Sequence, residues 1–315
     1  MTNKELIEAE IETYLQSYNH HKLYAPIKYL LQLNGKRIRP SLLLDSTSIF
    51  GGNVKEAMPI ALAVEVFHNF TLMHDDIMDN SSLRRGKPTV HEKWDVNSAI
   101  LSGDAMMIMA HQLIEKIPDQ YKGKVYSAFN KMALWLCEGQ QDDMDFEERE
   151  KVEISEYLTM IKNKTSVLIG FCFEAGAILG KADEQTTQKI YDFGINLGLA
   201  FQLQDDFLDL YPKSEKMGKV VGGDLLNRKK SIPYLIALKE SEENQIVEIK
   251  TLINSNDPDR VSHLLEVFEK LEVKNKTEEM IQDYFKKSIQ SLDSIEGYDL
   301  SSLKVFAQNL LERVQ

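Results

Sequence analysis

The chain has 315 residues, 43% hydrophobic and 27% charged; it can bury a substantial core and is no disordered, collagen-like or disulfide-scaffold protein. Its 49 acidic against 37 basic side chains leave a net charge of −12, a surface that repels nucleic-acid phosphates and anionic lipid headgroups. A few basic residues gathered in a cleft could still hold a small anion.

The start, MTNKELIEAEIETYL, is acidic and amphipathic, unlike a signal peptide. No run of about 18 apolar residues exists, so no integral membrane segment is expected and the cytoplasm is the expected compartment. Gly35–Pro40 is a basic loop leading into a helix. Pro59 is read as opening a helix that runs to about residue 79, Pro88 lies in a loop, and Pro118 closes a helix begun near Asn97. Residues 124–148, 154–180 and 184–211 read as unusually long helices. After Pro212 comes a polar loop to Asp224, and Pro233 falls in the first turn of the next helix. The remainder reads as shorter amphipathic helices separated by NSNDPD, EVKNK and SIEGYDL. No strand or β-hairpin signal is found.

Helices such as SVLIGFCFEAGAILG are apolar on more than one face and belong inside a bundle. Gly170, Gly176, Gly194 and Gly198 there imply close helix approach. The expected architecture is all-α, a single domain over residues 1–315. Cys137 and Cys172, far apart and in apolar surroundings, are read as two buried thiols in a reducing compartment.

Two D-D-x-x-D clusters carry the chemistry: Asp75, Asp76 and Asp79, then Asp205, Asp206 and Asp209. Positions i and i+4 of a helix share a face, so Asp75 pairs with Asp79 and Asp205 with Asp209. Both clusters interrupt apolar sequence, where packed carboxylates need cations. Oxygen-only ligands favour a hard ion, and Mg²⁺ commonly bridges carboxylates to substrate phosphates. The spacing excludes an EF-hand loop, and no Cys or His pair suggests zinc. Basic residues recur nearby: Lys36, Arg37 and Arg39; Arg84, Arg85 and Lys87; Lys164; and Lys219, Lys229 and Lys230. Each could be an ordinary ion-pair partner. Alternating with acidic clusters, they also suit capture of a diphosphate, whose oxygens Arg and Lys grip while carboxylates hold Mg²⁺.

The stretches GKRIRP (35–40), EVFHNFTLMHDDIMDNSSLRRGKPTVH (65–91), EGQQDD (138–143), KNKTSVLIG (162–170) and GLAFQLQDDFLDLYPKSEKMGKVVGGDLLNRKKS (198–231) resemble the polyprenyl synthetase family of trans-isoprenyl diphosphate synthases. The resemblance implies an all-α isoprenoid-synthase bundle around a deep cavity, with the aspartate-rich helices facing each other, and a homodimer. It implies three Mg²⁺ ions bridging an allylic diphosphate to Asp75, Asp79 and Asp205, with Asp76 and Asp209 in support. By position, Lys36, Arg39, His68 and Arg85 would hold isopentenyl diphosphate, while Arg84, Lys164, Lys219 and Lys229 would grip the allylic diphosphate. Thr165 and Gln202 would line the cation's path. His74 and His91 are read as structural or as supporting the residues that touch the ligand, and Arg37 and Lys230 carry a weaker assignment than their neighbours.

The implied reaction is condensation of isopentenyl diphosphate with dimethylallyl, geranyl or farnesyl diphosphate by ionisation, condensation and elimination. A terpene cyclase of the same fold would carry a different second metal motif, and a non-catalytic subunit would lack one aspartate motif; here both are intact. Phe70 lies five positions before Asp75, Thr71 four, and Phe67 eight. One aromatic at the fifth position and none at the fourth resembles geranylgeranyl diphosphate (C20) synthases, with farnesyl diphosphate (C15) as the alternative product. Phe70 is the expected floor of the pocket, and Phe67 the competing one.

Overall fold

A computed structural model describes residues 2–18, 21–212 and 221–312. Among them the fold is helical except for one pair of two-residue strands. The chain divides into two compact units, residues 1–130 with 171–188, and residues 131–170 with 189–315.

In the first unit, α1 (Asn3–Gln16) starts on a reciprocal cap, the Thr2 hydroxyl accepting from the Glu5 amide and the Glu5 carboxylate accepting from the Thr2 amide. Then come α2 (Tyr24–Gln32), α3 (Ile38–Ile49) and α4 (Val54–Met78). Pro59 does not open α4 but lies inside it. The helix starts five residues earlier, at Val54, capped by Asn53, whose side-chain oxygen accepts from the Lys55 amide at 3.0 Å.

The segment after α4 corrects the expectation of no hairpin. Leu83–Arg84 (β1) pairs antiparallel with Lys87–Pro88 (β2), turning on Arg85 and Gly86 with φ of 52° and 73°. Two consecutive positive φ values match the twist of a tight hairpin. Two-residue strands are too short to show alternation in the sequence. After α5 (Val90–Lys93), α6 (Val96–Ile114) ends four residues before Pro118, and α7 (Asp119–Glu148) begins directly after that proline.

The long helix expected over 154–180 is three pieces: α8 (Ile154–Ile161), a π-helical turn at Lys162–Ser166, and α9 (Val167–Leu179). Helix α10 (Glu184–Leu210) runs 27 residues as expected. It is followed by α11 (Gly223–Leu226), α12 (Ile232–Glu240) with Pro233 in its first turn, α13 (Glu243–Asn254), α14 (Arg260–Lys270), α15 (Val273–Asp293) and α16 (Ser301–Glu312). EVKNK is no separator: the break falls at Leu271–Glu272, Glu272 has φ of 56°, and α15 resumes at Val273. In the second unit α12 packs on α15 and α13 on α14.

The first unit's core is an aromatic cluster. The ring centroids of Phe67 and Phe129 lie 5.2 Å apart, those of Phe129 and Phe171 5.6 Å, and those of Phe129 and His111 5.2 Å, each edge-on. Helix α9 approaches α3 closely: a methyl at Gly176 would lie 2.6 Å from the Leu43 carbonyl oxygen, and the Ser46 hydroxyl donates to the Phe173 carbonyl at 2.9 Å. Cys172 is buried as expected. Cys137 is exposed, because its position on α7 faces solvent.

Phe129→Ala empties the centre of this cluster and should lower unfolding stability by about 3–5 kcal/mol in urea titrations. A loss below about 1 kcal/mol would show that the surrounding rings collapse into the space.

Candidate active site

In the first unit, the loop between α2 and α3 carries Arg37 at a left-handed backbone position, φ 49°. Its guanidinium is buried, donating to Glu65 Oε1 and, at 2.6 and 3.2 Å, to the Leu31 and Leu33 carbonyls. Glu65 is held in turn by Asn69, whose amide donates to its backbone carbonyl at 2.8 Å and its carboxylate at 3.1 Å. Arg37 therefore anchors the loop, with Glu65, which sequence reasoning missed, as its counter-ion.

Around that anchor lies a cavity of about 330 Å³ lined by residues 34–39 with Glu65, His68 and Arg85. All four residues expected to hold isopentenyl diphosphate, Lys36, Arg39, His68 and Arg85, line this one cavity. Four cations face one carboxylate here, and that carboxylate is engaged by Arg37. Arg85 reaches the cavity from the hairpin turn, donating to the Leu33 carbonyl at 3.3 Å. Burial pushes the guanidinium pKa values of Arg39 and Arg85 down. Burial, reinforced by Arg39 and its neighbours, holds His68 well below the usual histidine range. The imidazole is then neutral, so its Nε2 accepts from Arg39 Nη1 at 3.2 Å. The guanidinium and ammonium donors of such a cavity suit a polyanion.

The first aspartate motif closes α4. Asp76 is almost fully buried and takes a two-pronged bond from Arg84, whose Nε donates at 2.8 and 2.9 Å and Nη2 at 2.6 Å. Burial works against the Arg84 cation, but Asp76, together with Asp75 and Asp79, more than offsets it and raises the pKa. Asp75 and Asp79 occupy the other face, half-buried and exposed respectively. The structure thus separates the motif into a locked carboxylate and a pair one helical turn apart. Oxygen-only donors in that arrangement suit a hard divalent cation whose remaining ligands are water and phosphate oxygens. Among the described residues no three His, Cys, Asp or Glu side chains form a closed metal cage.

In the second unit, Lys164, Thr165, Gln202, Asp206 and Lys229 line one cavity of about 170 Å³ with Asp143, Tyr157, Asp224 and Lys230. Lys164 and Thr165 project from the π-helical turn. Gly139 of α7 and Gly198 of α10 hold that turn closely: a methyl at Gly139 would overlap the Lys164 amide nitrogen, and one at Gly198 would lie 2.8 Å from Ser166 Cα. Lys164 Nζ donates to Asp143 Oδ2 at 2.5 Å. Asp206 mirrors Asp76: it is buried, accepting from the Tyr157 hydroxyl and from the Ile232 amide at 2.9 Å. Burial raises its pKa to about 7, although both donors act the other way. Asp205 and Asp209 are half-buried, and Asp209 Oδ2 accepts the Asp224 amide at 3.1 Å. Lys230 caps the end of α7 through the Phe146 and Glu147 carbonyls. Lys219 lies outside the described residues.

Asp143, Tyr157 and Asp224 were missed by sequence reasoning. Asp143 was legible in the acidic run EGQQDD; nothing marked Tyr157.

The family model for polyprenyl synthetases matches residues 20–271. A geranylgeranyl diphosphate synthase of Methanosarcina mazei is 39% identical over 236 residues, covering 74% of this chain and 73% of its own. A short chain isoprenyl diphosphate synthase of Methanothermobacter thermautotrophicus is 33% identical over 311 residues, 98% of this chain and 96% of its own. The crystal structure of a geranylgeranyl pyrophosphate synthetase from Pyrococcus horikoshii superposes with a TM-score of 0.92 at 32% identity, covering 98% of this chain and 96% of that one. With these helices and paired acidic and basic sites, the fold is the all-α isoprenoid-synthase fold of prenyltransferases. The chain belongs to the polyprenyl synthetase family.

The buried neutral His68 makes a pH prediction. Its folded pKa is depressed, so its contribution is fully present above the unfolded value near 6.5 and is lost as pH falls toward the folded value. Between pH 7.5 and 5.5, wild type should lose stability more steeply than His68→Gln, by up to about 1.4 kcal/mol per pH unit. Identical pH slopes in urea titrations would contradict a neutral His68.

Proposed function

We propose that the protein condenses isopentenyl diphosphate with dimethylallyl, geranyl and farnesyl diphosphates and releases geranylgeranyl diphosphate, acting as a single domain over residues 1–315. The carrying observation is the cavity that gathers Lys36, Arg39, His68 and Arg85 around a loop anchored by Arg37. There, Lys36, Arg39 and Arg85 neutralise the isopentenyl diphosphate, and His68 adds a neutral polar contact. Lys164 and Lys229, with Arg84 and Lys219, grip the allylic diphosphate. Three Mg²⁺ ions, held by Asp75, Asp79 and Asp205 with Asp76 and Asp209 in support, would supply Lewis-acid stabilisation of the leaving diphosphate.

The allylic C–O bond breaks, and its electron pair leaves with the diphosphate. The double bond of isopentenyl diphosphate attacks the allylic cation, and a proton passes to the released diphosphate. Thr165 and Gln202, 3.5 Å apart through their oxygens, offer polar groups to the cation. No protein nucleophile is needed. Helix α4 supports the C20 product: Phe70 is half-buried, Phe67 is fully buried, and position 71 holds threonine rather than a second aromatic. Two free thiols suit a cytoplasmic enzyme, and among the described residues no helix is long and apolar enough to cross a membrane.

Asp75→Ala and Asp205→Ala should each lower turnover by orders of magnitude while leaving the circular-dichroism spectrum unchanged. Activity should vanish in EDTA and return with Mg²⁺. Near-normal turnover in either variant, or full activity in chelator, contradicts the assignment.

The protein also acts as a homodimer in this reading. Helix α6 presents Leu101 and Ile108 to solvent at 60% and 61% exposure, two turns apart on one face, with Val96 and Ile100 also exposed. Light scattering at micromolar concentration should give twice the chain mass. A monomer mass refutes it.

A further inference from the structure

Phe70 is held from two sides along one face of α4. On the N-terminal side lies Phe67, its ring centroid 5.6 Å away; Phe67 has no exposure and is itself seated against Phe129. That side is closed core and cannot yield. On the other side, one turn toward Asp75, the ring of His74 meets Phe70 edge-on at 4.8 Å. His74 is only half-buried, so packing alone does not fix it. Its ring is tied to the neighbouring helix, with Nε2 donating to the Ile100 carbonyl of α6 at 3.1 Å. The ring fits there because position 103 is glycine. A methyl at Gly103 would overlap His74 Nε2 and lie 2.5 Å from Cδ2.

We propose that His74, docked on α6 at Ile100 and Gly103, is a positioning residue that holds the Phe70 ring in place and so sets product length. The inference rests on the reading of Phe70 as the floor of the growing chain's pocket. At 1.5 Å per residue, Phe70 lies about 7.5 Å along the α4 axis from Asp75, where an elongating chain would reach it. Fixed between an immovable ring and an anchored one, Phe70 cannot rotate aside for a longer chain. Without the His74 ring, it can swing into the vacated space against α6 and deepen the pocket. Gly103, where an added methyl would meet the His74 ring first, thereby acts on specificity through His74.

The test is product chromatography, under the same primer and Mg²⁺ conditions, for Phe70→Ala, His74→Ala, His74→Gln, Gly103→Ala and the double variant Phe70→Ala/His74→Ala. His74→Gln retains a donor for the Ile100 carbonyl but has no ring edge, and guards against a folding failure of the alanine variant. The expected result is a shift of the main product upward by at least one five-carbon unit in Phe70→Ala. His74→Ala, His74→Gln and Gly103→Ala should each show a partial shift the same way, and the double variant no shift beyond Phe70→Ala. Loss of stability alone lowers the yield without moving product length. If Phe70→Ala shifts the product while the His74 variants keep wild-type length, or if the double variant shows the full sum of both shifts, the positioning role is overturned and the floor reading stands. If Phe70→Ala itself leaves the length unchanged, the floor reading falls and the role of His74 with it.

Discussion

A guanidinium buried in protein without a partner costs several kcal/mol, and the placement of Arg37 follows from that constraint. Its backbone sits in a left-handed conformation and its side chain turns inward, so a carboxylate must meet it. Glu65 on α4 does so. The same helix carries His68 one turn further on and Asp75 ten residues from Glu65, about 15 Å along the axis. Helix α4 therefore registers the basic loop against the acidic motif. The Arg37–Glu65 pair ties one end of that ruler to the loop, and the two-pronged Arg84–Asp76 bond ties the other to the hairpin.

Both aspartate motifs divide their labour in the same way. The middle residue is buried and spent on structure: Asp76 on Arg84, Asp206 on Tyr157 and the start of α12. The flanking pair, i and i+4, stays on the more accessible face. Separating the roles leaves the outer carboxylates accessible while the buried one fixes the helix end. In the second unit the equivalent precision comes from backbone proximity. Gly139 and Gly198 press against a π-helical turn, and that irregularity projects Lys164 and Thr165 into one cavity.

Much of this was legible in the sequence because the chemistry is dense and periodic. Asp75 and Asp79, Asp205 and Asp209, and the long helices α4 and α10 follow from spacing, whereas the four residues of the basic cavity came from the family resemblance. What escaped was set by tertiary context. The hairpin is two residues per strand, below the length at which alternation registers. The π turn has no composition of its own; it packs closely against two glycines on other helices. Glu65 and Tyr157 look like ordinary helix residues until the buried charges they satisfy are seen. Helix starts shifted for local reasons, as where α4, capped by Asn53, begins at Val54 rather than Pro59.

The central claim is that one protein uses a basic cavity for isopentenyl diphosphate and carboxylate-held Mg²⁺ for an allylic partner. Incubation with labelled isopentenyl diphosphate, Mg²⁺ and each allylic primer in turn, followed by chromatography of the products, tests it most directly. The account predicts incorporation of label from every primer, with geranylgeranyl diphosphate accumulating. Release of diphosphate without incorporation of label, or formation of a hydrocarbon from the allylic substrate alone, would contradict it.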